Sequence, residues 1–306
     1  MRCLVLGGGG FVGSHACEAL LACGHDVRIF EKQHVSKKNV LHLAHDIEWI
    51  EGDFTNQAHL DQIVQGMDCI VHTICTTLPK DSNENPMYDI SSNVIPTLHL
   101  LQTAKKSGVK KIIFLSSGGT VYGIPRKIPI PEDHPTDPIC SYGIQKLTVE
   151  KYLRLYYELH GMDYAIMRIA NVYGERQRPN ASQGAVTVFL YKALHKESIE
   201  IWGDGSVTRD YVYISDVARA IPLLVQYTGK HKLFNIGSGR GASLLDLIKI
   251  FERVIGSPMD IRFCPARQFD VPVNILDNTL AKRELLWIPE IDLEEGAKRT
   301  LKFLSA

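Results

Sequence analysis

A run of glycines at the end of the first apolar segment constrains the fold more than any other feature. The apolar residues CLVL are followed directly by GGGGFVG at residues 7 to 13, so that Gly7, Gly10 and Gly13 have GxxGxxG spacing. In such a turn the first glycine allows the bend, the second lets backbone approach a pyrophosphate, and the third lets helix pack on strand. The motif predicts a strand–turn–helix unit that can hold a dinucleotide, and a purely structural turn is the alternative.

Short apolar runs and helical-period segments alternate through the first half of the chain. Continuous apolar runs of this length are typical of strands buried on both faces. They are RCLVLGG, HDVRIFEK, IEWIEGD, DCIVHTI and KKIIFLSS. Alternation of such strands with helices predicts an α/β fold of the Rossmann type, with a doubly wound parallel sheet.

The alternation of apolar runs and helical segments becomes irregular after about residue 175. Irregular loops such as GERQRPNASQG become frequent, with helical patterns at 186–196, 243–255 and 292–304. We therefore expect a first domain over residues 1–170, to which segments near 211–236 and 270–280 return. A smaller C-terminal α/β region would occupy residues 171–306.

Charge and composition exclude several classes of protein. Thirty-four basic residues balance thirty-four acidic ones, so no net charge attracts nucleic acid or an anionic membrane. The cluster Lys105, Lys106, Lys110 and Lys111 flanks a helix end, and we interpret it as a solvated edge. Neither a secretory signal nor an apolar stretch of about eighteen residues occurs, which predicts a soluble, cytoplasmic protein.

The seven cysteines are scattered through apolar surroundings without CxxC spacing. That pattern favours reduced thiols in the core over disulfides or a metal site. We expect no bound metal.

Acidic residues at two strand ends suggest which dinucleotide binds. Glu31 ends the second predicted strand, about twenty residues after the glycine turn, where a carboxylate can bind adenosine ribose hydroxyls. A 2′-phosphate would meet like charge there, so the sequence favours NAD over NADP, and Lys32 weakens that preference. Asp53 can contact the adenine amino group, or it can simply form a strand-end turn.

The candidate chemistry lies at Tyr142 and Lys146 in SYGIQK. On a helix, a spacing of four places the phenol and the ammonium on one face, one turn apart. A tyrosine that acts as a base near neutrality needs a pKa about 3 units below its usual 10, equivalent to about 4 kcal/mol, and an adjacent ammonium supplies part of that. Hydroxyls of Ser116, Ser117 and Thr120 follow the preceding strand, at the sheet edge where open α/β folds bind ligands.

Together these motifs resemble the extended short-chain dehydrogenase/reductase family, in particular its NAD-dependent nucleotide-sugar epimerases and dehydratases. The resemblance runs through GGGGFVG, GDF, SSGGTVYG, YGIQK, NVYG, GDGSVTRDYVYISDVARA, NIGSG and LDNTLAKRELLWIPEIDLEEG, in order along nearly the whole chain. It implies that Tyr142 deprotonates a sugar hydroxyl while hydride leaves to NAD, and that Lys146 binds the nicotinamide ribose. The implied cofactor-binding residues are Gly7, Gly10, Phe11, Val12, Gly13, Glu31, Lys32, Asp53, Phe54, Tyr142 and Lys146.

One position departs from the family pattern. Where similar enzymes have a serine that bonds the reacting hydroxyl, this chain has Gly118. Ser117 is the nearest substitute and Thr120 the second.

The resemblance also implies a set of substrate contacts. Asn171 matches a diphosphate or sugar contact, and Asn274 a gate that admits or excludes a 2-acetamido group. Trp202 matches an aromatic side chain against uracil, although simple packing is the alternative role for this tryptophan. Arg209 and Arg267 match arginines that clamp the diphosphate, although each can instead be a surface ion-pair partner of Asp210 or Asp270. The small Asn274 side chain favours acceptance of UDP-GlcNAc and UDP-GalNAc alongside or instead of UDP-Glc and UDP-Gal.

Several reactions are compatible with this resemblance. The SSGGTVYG turn has no carboxylate, which favours C4 epimerisation of a UDP-sugar over elimination or decarboxylation. UDP-glucuronate 4-epimerase, a nucleotide-4-keto-sugar reductase or dehydratase, and a non-enzymatic NAD(H) sensor are the alternatives. Relatives commonly form homodimers through a four-helix bundle, which we expect here, and polysaccharide precursor synthesis is the usual setting.

Overall fold

The structure is a computed structural model that describes residues 1–179, 184–265 and 271–306, except for the side chain of Lys80. Contacts divide the chain into two compact units. The first unit consists of Met1–Val121, Pro138–Arg168 and Ala218–Phe234. The second consists of Tyr122–Asp137, Ile169–Val217 and Asn235–Ala306.

Strands and helices alternate along the first half of the chain, as the sequence predicts. The strands are β1 (Arg2–Leu6), β2 (Asp26–Glu31), β3 (Ile47–Glu51), β4 (Cys69–His72), β5 (Lys111–Ser117), β6 (Asp163–Ile169), β7 (Asn171–Tyr173), β8 (Ile199–Trp202), β9 (Thr208–Tyr213), β10 (Leu233–Ile236), β11 (Gly241–Ser243), β12 (Ile261–Cys264) and β13 (Val273–Asn274). The helices are α1 (Phe11–Ala22), α2 (Gln57–Ile63), α3 (Pro79–Glu84), α4 (Pro86–Asp89), α5 (Ile95–Lys106), α6 (Ser141–His160), α7 (Ala185–Leu194), α8 (Ile214–Gln226), α9 (Leu244–Ile255), α10 (Thr279–Leu285) and α11 (Leu293–Leu304). Short 3₁₀ turns lie at Lys37–Asn39 and Leu41–Leu43, and a π turn at Ile90–Val94 joins α4 to α5.

A seven-stranded sheet has the order β10-β6-β5-β4-β1-β2-β3, and its pairs from β5 to β3 are parallel. The chain moves outward from β1 through β2 to β3 and then crosses to β4, so the strand order reverses between β1 and β4. Open α/β sheets bind ligands beyond the carboxyl ends of strands at such a reversal. The predicted Rossmann-type α/β fold is confirmed, and both the glycine turn and the end of β4 lie at this edge.

The core of the first unit follows from the sequence pattern. Cys3, Leu4, Val5 and Leu6 of β1 are completely buried, as expected for a strand covered on both faces. Helix α5 ends before Gly108, whose φ of +73° suits the left-handed turn that closes a helix.

One lysine of the predicted solvated edge is buried instead. Lys111 begins β5, and its ammonium donates to the carbonyl oxygens of Leu224 and Tyr227 and pairs with Asp163 at 3.1 Å. Those two carbonyls lie at the C-terminal end of α8, where a cation is favourable. The interpretation of Lys111 as solvated is therefore wrong, because a helix from a distant part of the chain covers it.

The cysteines are all free thiols, but they do not share one environment. Cys3, Cys17 and Cys69 are buried, whereas Cys23 is exposed and the others are partly exposed. The expectation that all seven lie in the core is wrong for Cys23, which closes α1 at the surface.

The second unit contains smaller sheets. Strand β9 pairs with β7, β11 and β13, and β8 pairs with β12 in a separate two-stranded sheet. Residues 122–137, which the sequence analysis counted with the first domain, group with this unit. Ile130 of this segment bonds to the rest of the second unit: its N–H donates to the Ile275 carbonyl at 2.8 Å, and its carbonyl accepts from the side-chain amide of Asn235.

Within the described ranges, no helix is long and apolar enough to cross a membrane. Nor do three or more histidine, cysteine, aspartate or glutamate side chains cluster in a metal-binding arrangement in that part of the chain.

Candidate active site

The glycine turn has the geometry that a dinucleotide site needs. Gly7 has a φ of +82°, and a Cβ at Gly13 would lie 2.1 Å from the Gly7 carbonyl oxygen, so only glycine fits there. Helix α1 begins at Phe11, followed by Val12, and its N-cap residue Gly10 offers no capping side chain. The first N–H groups of the helix therefore remain available for a phosphate, and the helix dipole favours an anion there.

Glu31 lies directly beside this turn. Its Oε1 accepts a 3.0 Å hydrogen bond from the Gly9 N–H, and its Oε2 accepts from the Lys32 N–H at 3.2 Å. Burial raises the pKa of Glu31 above its usual value, and the two N–H donors oppose that shift. A carboxylate held in this way is placed to receive further hydrogen bonds, such as those from ribose hydroxyls.

Two residues near the glycine turn escaped the sequence analysis. Trp49 of β3 reaches the turn, since a Cβ at Gly9 would lie 2.9 Å from its indole ring, and Asn39 donates to the Gly9 carbonyl at 3.0 Å. Lys37 lies 5.0 Å from the centroid of the Trp49 ring. In the sequence, the one signal for Trp49 was a tryptophan within the predicted strand IEWIEGD.

Asp53 and Phe54 follow β3. The Asp53 Oδ1 accepts from the N–H and the hydroxyl of Thr55, both at 2.8 Å, and these bonds lower the pKa of Asp53. The strand-end turn named as the alternative is thus present. The Phe54 side chain packs in the core, 5.2 Å from the ring of His72, so Phe54 can offer a cofactor only its backbone.

The structure brings Tyr142 and Lys146 together in the first turns of α6. The Lys146 ammonium is buried, donates to the Leu115 carbonyl at 2.9 Å, and lies 5.7 Å from the centroid of the Tyr142 ring. Burial, followed by the neighbouring thiols of Cys75 and Cys140, raises the pKa of Tyr142 well above 10. The expected lowering by Lys146 is therefore outweighed in this arrangement.

The hydroxyl-rich turn after β5 lies against the start of α6. A Cβ at Gly143 would be 2.8 Å from the Thr120 carbonyl oxygen, so the glycine beside Tyr142 permits this close approach. The Ser117 carbonyl accepts from the N–H groups of Thr120 and Val121 and thereby closes the turn. Among the described residues, the buried Thr120 Oγ1 has no hydrogen-bond partner.

Ser116 is not available for substrate, contrary to expectation. Its hydroxyl donates to Glu150 Oε1 at 2.5 Å, and Glu150 forms a buried ion pair with Arg168 at 2.6 Å. Because Glu150 follows Lys146 by one helical turn and Arg168 lies in β6, this network fixes the end of β5 to α6.

The second unit holds the predicted substrate contacts. Arg209 of β9 is in register with Asn274 of β13, and its guanidinium donates to the Thr208 and Val271 carbonyls at 2.9 and 2.6 Å. Asn274 is only 1% exposed. The Asn171 amide donates to the carbonyl of Asp210 at 3.3 Å.

The other substrate candidates occupy different surroundings. Trp202 ends β8 and is 38% exposed. Arg267 and its suggested partner Asp270 lie outside the described residues. Asp210 is completely buried, and its carboxylate accepts hydrogen bonds from Ser238, Gly239 and Leu276, so a surface ion pair with Arg209 is the wrong description of this aspartate.

Comparisons with known proteins agree with this geometry. The model of the NAD dependent epimerase/dehydratase family matches residues 3–237. A putative UDP-glucose 4-epimerase from Methanocaldococcus jannaschii is 37% identical over 304 residues, which cover 98% of this chain and 97% of the relative. The crystal structure of the UDP-glucose 4-epimerase from Thermotoga maritima with UDP-glucose superimposes with a TM-score of 0.94 and 36% identity, covering 100% of this chain and 99% of that one. The NAD complex of the Thermus thermophilus UDP-glucose 4-epimerase has a TM-score of 0.91, 28% identity and coverage of 100% and 99%.

Proposed function

The chain belongs to the NAD-dependent epimerase/dehydratase family, and on that premise we propose that it catalyses the C4 epimerisation of a UDP-sugar. The observation that carries the proposal is the Tyr142–Lys146 pair on α6, packed against the SSGGTVYG turn at the ligand-binding edge of the sheet. An NAD(H) sensor has no need of a base placed beside a row of hydroxyls. UDP-glucose, UDP-GlcNAc and UDP-glucuronate are the substrates to distinguish.

The residues of the first unit fit NAD. The turn of Gly7, Gly10 and Gly13, with the uncapped N–H groups of Phe11 and Val12, suits the pyrophosphate. Glu31 suits the adenosine ribose, with Lys32 and the backbone beside Asp53 and Phe54 near the adenine. Bound NAD supplies a reversible hydride acceptor with a positively charged ring.

Tyr142 has the role of acid and base. Its phenolate accepts the proton of the sugar C4 hydroxyl, and its phenol returns a proton when the configuration has been inverted. Because burial raises the pKa of Tyr142, the phenolate needs positive charge nearby. Lys146, held in place by the Leu115 carbonyl, supplies one such charge and a donor for the nicotinamide ribose.

Thr120 fits the place of the missing serine better than Ser117. Its Oγ1 is buried, and no described residue accepts or donates a hydrogen bond there, so a sugar hydroxyl would satisfy it. Thr120→Val, which keeps the shape but removes the hydroxyl, is expected to lower kcat about tenfold or more, whereas Thr120→Ser retains most of it. Ser117→Ala is the matched control, and the assignment reverses if that variant carries the loss.

Substrate binding is assigned to residues of the second unit. Arg209 and Arg267 would bind the diphosphate, because guanidinium groups form paired, charge-assisted hydrogen bonds with phosphate oxygens. Asn171 would contact the diphosphate or sugar, Trp202 the uracil, and Asn274 the C2 substituent.

We further propose that the protein forms a homodimer and acts in the cytoplasm in polysaccharide precursor synthesis. Exposed apolar side chains on α5 and α6 support the dimer through a four-helix bundle: they are Ile95, Ile144, Leu155, Tyr157 and Leu159. A groove of about 430 Å³, lined in part by Ile90, Val94 and Ile139, continues this apolar face. Gel filtration at micromolar concentration tests the dimer, and a monomer there would contradict it.

The deciding experiment incubates the purified protein with NAD and each of UDP-Glc, UDP-GlcNAc and UDP-GlcA, with NMR analysis of the products. A C4-inverted product that Tyr142→Phe abolishes, and that the exposed control Tyr88→Phe retains, is expected. Binding of NAD without turnover of any sugar would favour the sensor, and a reduced 4-keto sugar would favour a reductase.

A further inference from the structure

Helix α6 begins without a capping side chain of its own. Its N-cap residue is Cys140, which makes no side-chain capping hydrogen bond. The first N–H groups of a helix have no partner within it, and a buried N–H that stays unbonded destabilises the folded state. The first intrahelical bond joins the Ile144 N–H to the Cys140 carbonyl. The N–H groups of Ser141, Tyr142 and Gly143 therefore lack a partner within the backbone of the helix. The Gly143 N–H lies against the Cys140 thiol, whereas the acceptors for Ser141 and Tyr142 bear directly on the proposed acid/base residue.

The acceptors come from helix α3, about 60 residues earlier in the chain. The Ser141 N–H donates to Asn83 Oδ1 at 2.9 Å, and the Tyr142 N–H donates to Ser82 Oγ at 3.0 Å. Ser82 is completely buried, and its own hydroxyl donates to the Pro79 carbonyl at 2.9 Å, which leaves a lone pair for Tyr142. Two side chains of α3 thus replace the usual N-cap of α6.

Asp89 of α4 holds the same turn of helix. Its Oδ2 accepts from the Ser141 hydroxyl at 2.8 Å, and its Oδ1 accepts from Thr77 at 2.5 Å and from the Asn93 amide at 3.2 Å. Asp89 is completely buried. It therefore joins the loop after β4, the π turn and the start of α6 in one hydrogen-bonded cluster.

We propose that Ser82, Asn83 and Asp89 are positioning residues, which fix the Tyr142 phenol from outside the helix that carries it. The proposal rests on the proposed acid/base role of Tyr142. The first turn of an uncapped helix frays, and small displacements of a catalytic group are costly, so the caps from α3 keep the phenol in its reactive orientation.

The charge of Asp89 gives the cluster a second effect. The charged or titratable groups that act on the Tyr142 phenol are Asp89, Cys75 of the loop after β4, Cys140 and, on α6 itself, Lys146. Asp89 opposes formation of the phenolate, because like charges repel. Removing this charge while keeping the shape of the side chain should therefore favour the phenolate at lower pH.

Three variants test the proposal: Ser82→Ala, Asp89→Asn and, as a matched control, Ser91→Ala. Ser91 lies in the same π turn, but it is exposed, and among the described residues its hydroxyl donates to the Tyr88 carbonyl alone. We expect Ser82→Ala to lower kcat about tenfold with KM within about twofold, and to speed amide hydrogen exchange of Ser141 and Tyr142 at least about tenfold. Asp89→Asn is expected to move the acid limb of the kcat–pH profile down by about 0.5 units.

Two results would overturn the positioning role. The first is that Ser82→Ala has the same kcat and the same amide exchange rates at Ser141 and Tyr142 as Ser91→Ala. The second is that the acid limb of the kcat–pH profile of Asp89→Asn lies at the same pH as that of the wild type. Exchange at Ser141 and Tyr142 requires no turnover. If the wild-type protein converted no nucleotide sugar, the proposed function would fail, while the exchange rates would still decide whether α3 caps α6.

Discussion

Replacement of Glu150 by Gln tests whether the buried ion pair behind the active-site turn stabilises the fold. Glu150 and Arg168 have side chains only 3% and 4% exposed, and two hydrogen bonds of 3.1 and 2.6 Å join them, with a third bond from Ser116. Glutamine keeps the shape but removes the charge, so Arg168 loses the Glu150 carboxylate at a buried position. Removal of one partner of a buried pair costs about 3–5 kcal/mol, and we expect the lower end, about 3, because the amide oxygen still accepts one bond.

Thermal unfolding, followed by circular dichroism, measures the effect. At about 2 °C per kcal/mol for a chain of this size, Glu150→Gln should lower Tm by about 6 °C. Glu48→Gln is the matched control, since Glu48 also pairs with an arginine, Arg28, but is about half exposed and should cost no more than about 0.5 kcal/mol. A Tm loss no larger than that of Glu48→Gln would refute the reasoning.

Three further predictions follow from single side chains. Lys111→Met should lower the unfolding free energy by about 2 kcal/mol, because the Leu224 and Tyr227 carbonyls lose their donor, whereas exposed Lys110→Met should have little effect; urea unfolding compares them. Burial lowers the pKa of His72 to about 3, so the unfolded chain takes up a proton below pH 6.5 that the folded protein does not. Stability should fall with a slope of up to about 1.4 kcal/mol per pH unit as pH drops from 6.5, and urea titrations in which His72→Leu keeps that slope would contradict it. Asn274→Tyr should lower the ratio of kcat/KM for UDP-GlcNAc to that for UDP-Glc, and an unchanged ratio would exclude the proposed gate.

Local patterns in the sequence were sufficient to identify the strands, turn and helices that build the fold. Apolar runs such as CLVL and the glycine spacing after them identify β1, the turn and α1, because burial on both faces and the steric limit at Gly13 are dictated by nearby residues. The spacing of Tyr142 and Lys146 likewise implies one helix face. These features depend on neighbours a few positions away, so the chain carries them without reference to its tertiary structure.

Only the tertiary structure decided which polar groups are already occupied. Ser116 looked as available as Thr120, yet Glu150 binds its hydroxyl and leaves that of Thr120 without a partner among the described residues. Lys111 looked solvated until the end of α8 covered it, and the caps of α6 come from α3. Each outcome depends on contact between segments separated by tens of residues or more, and a buried polar group takes whatever partner the packed chain brings to it.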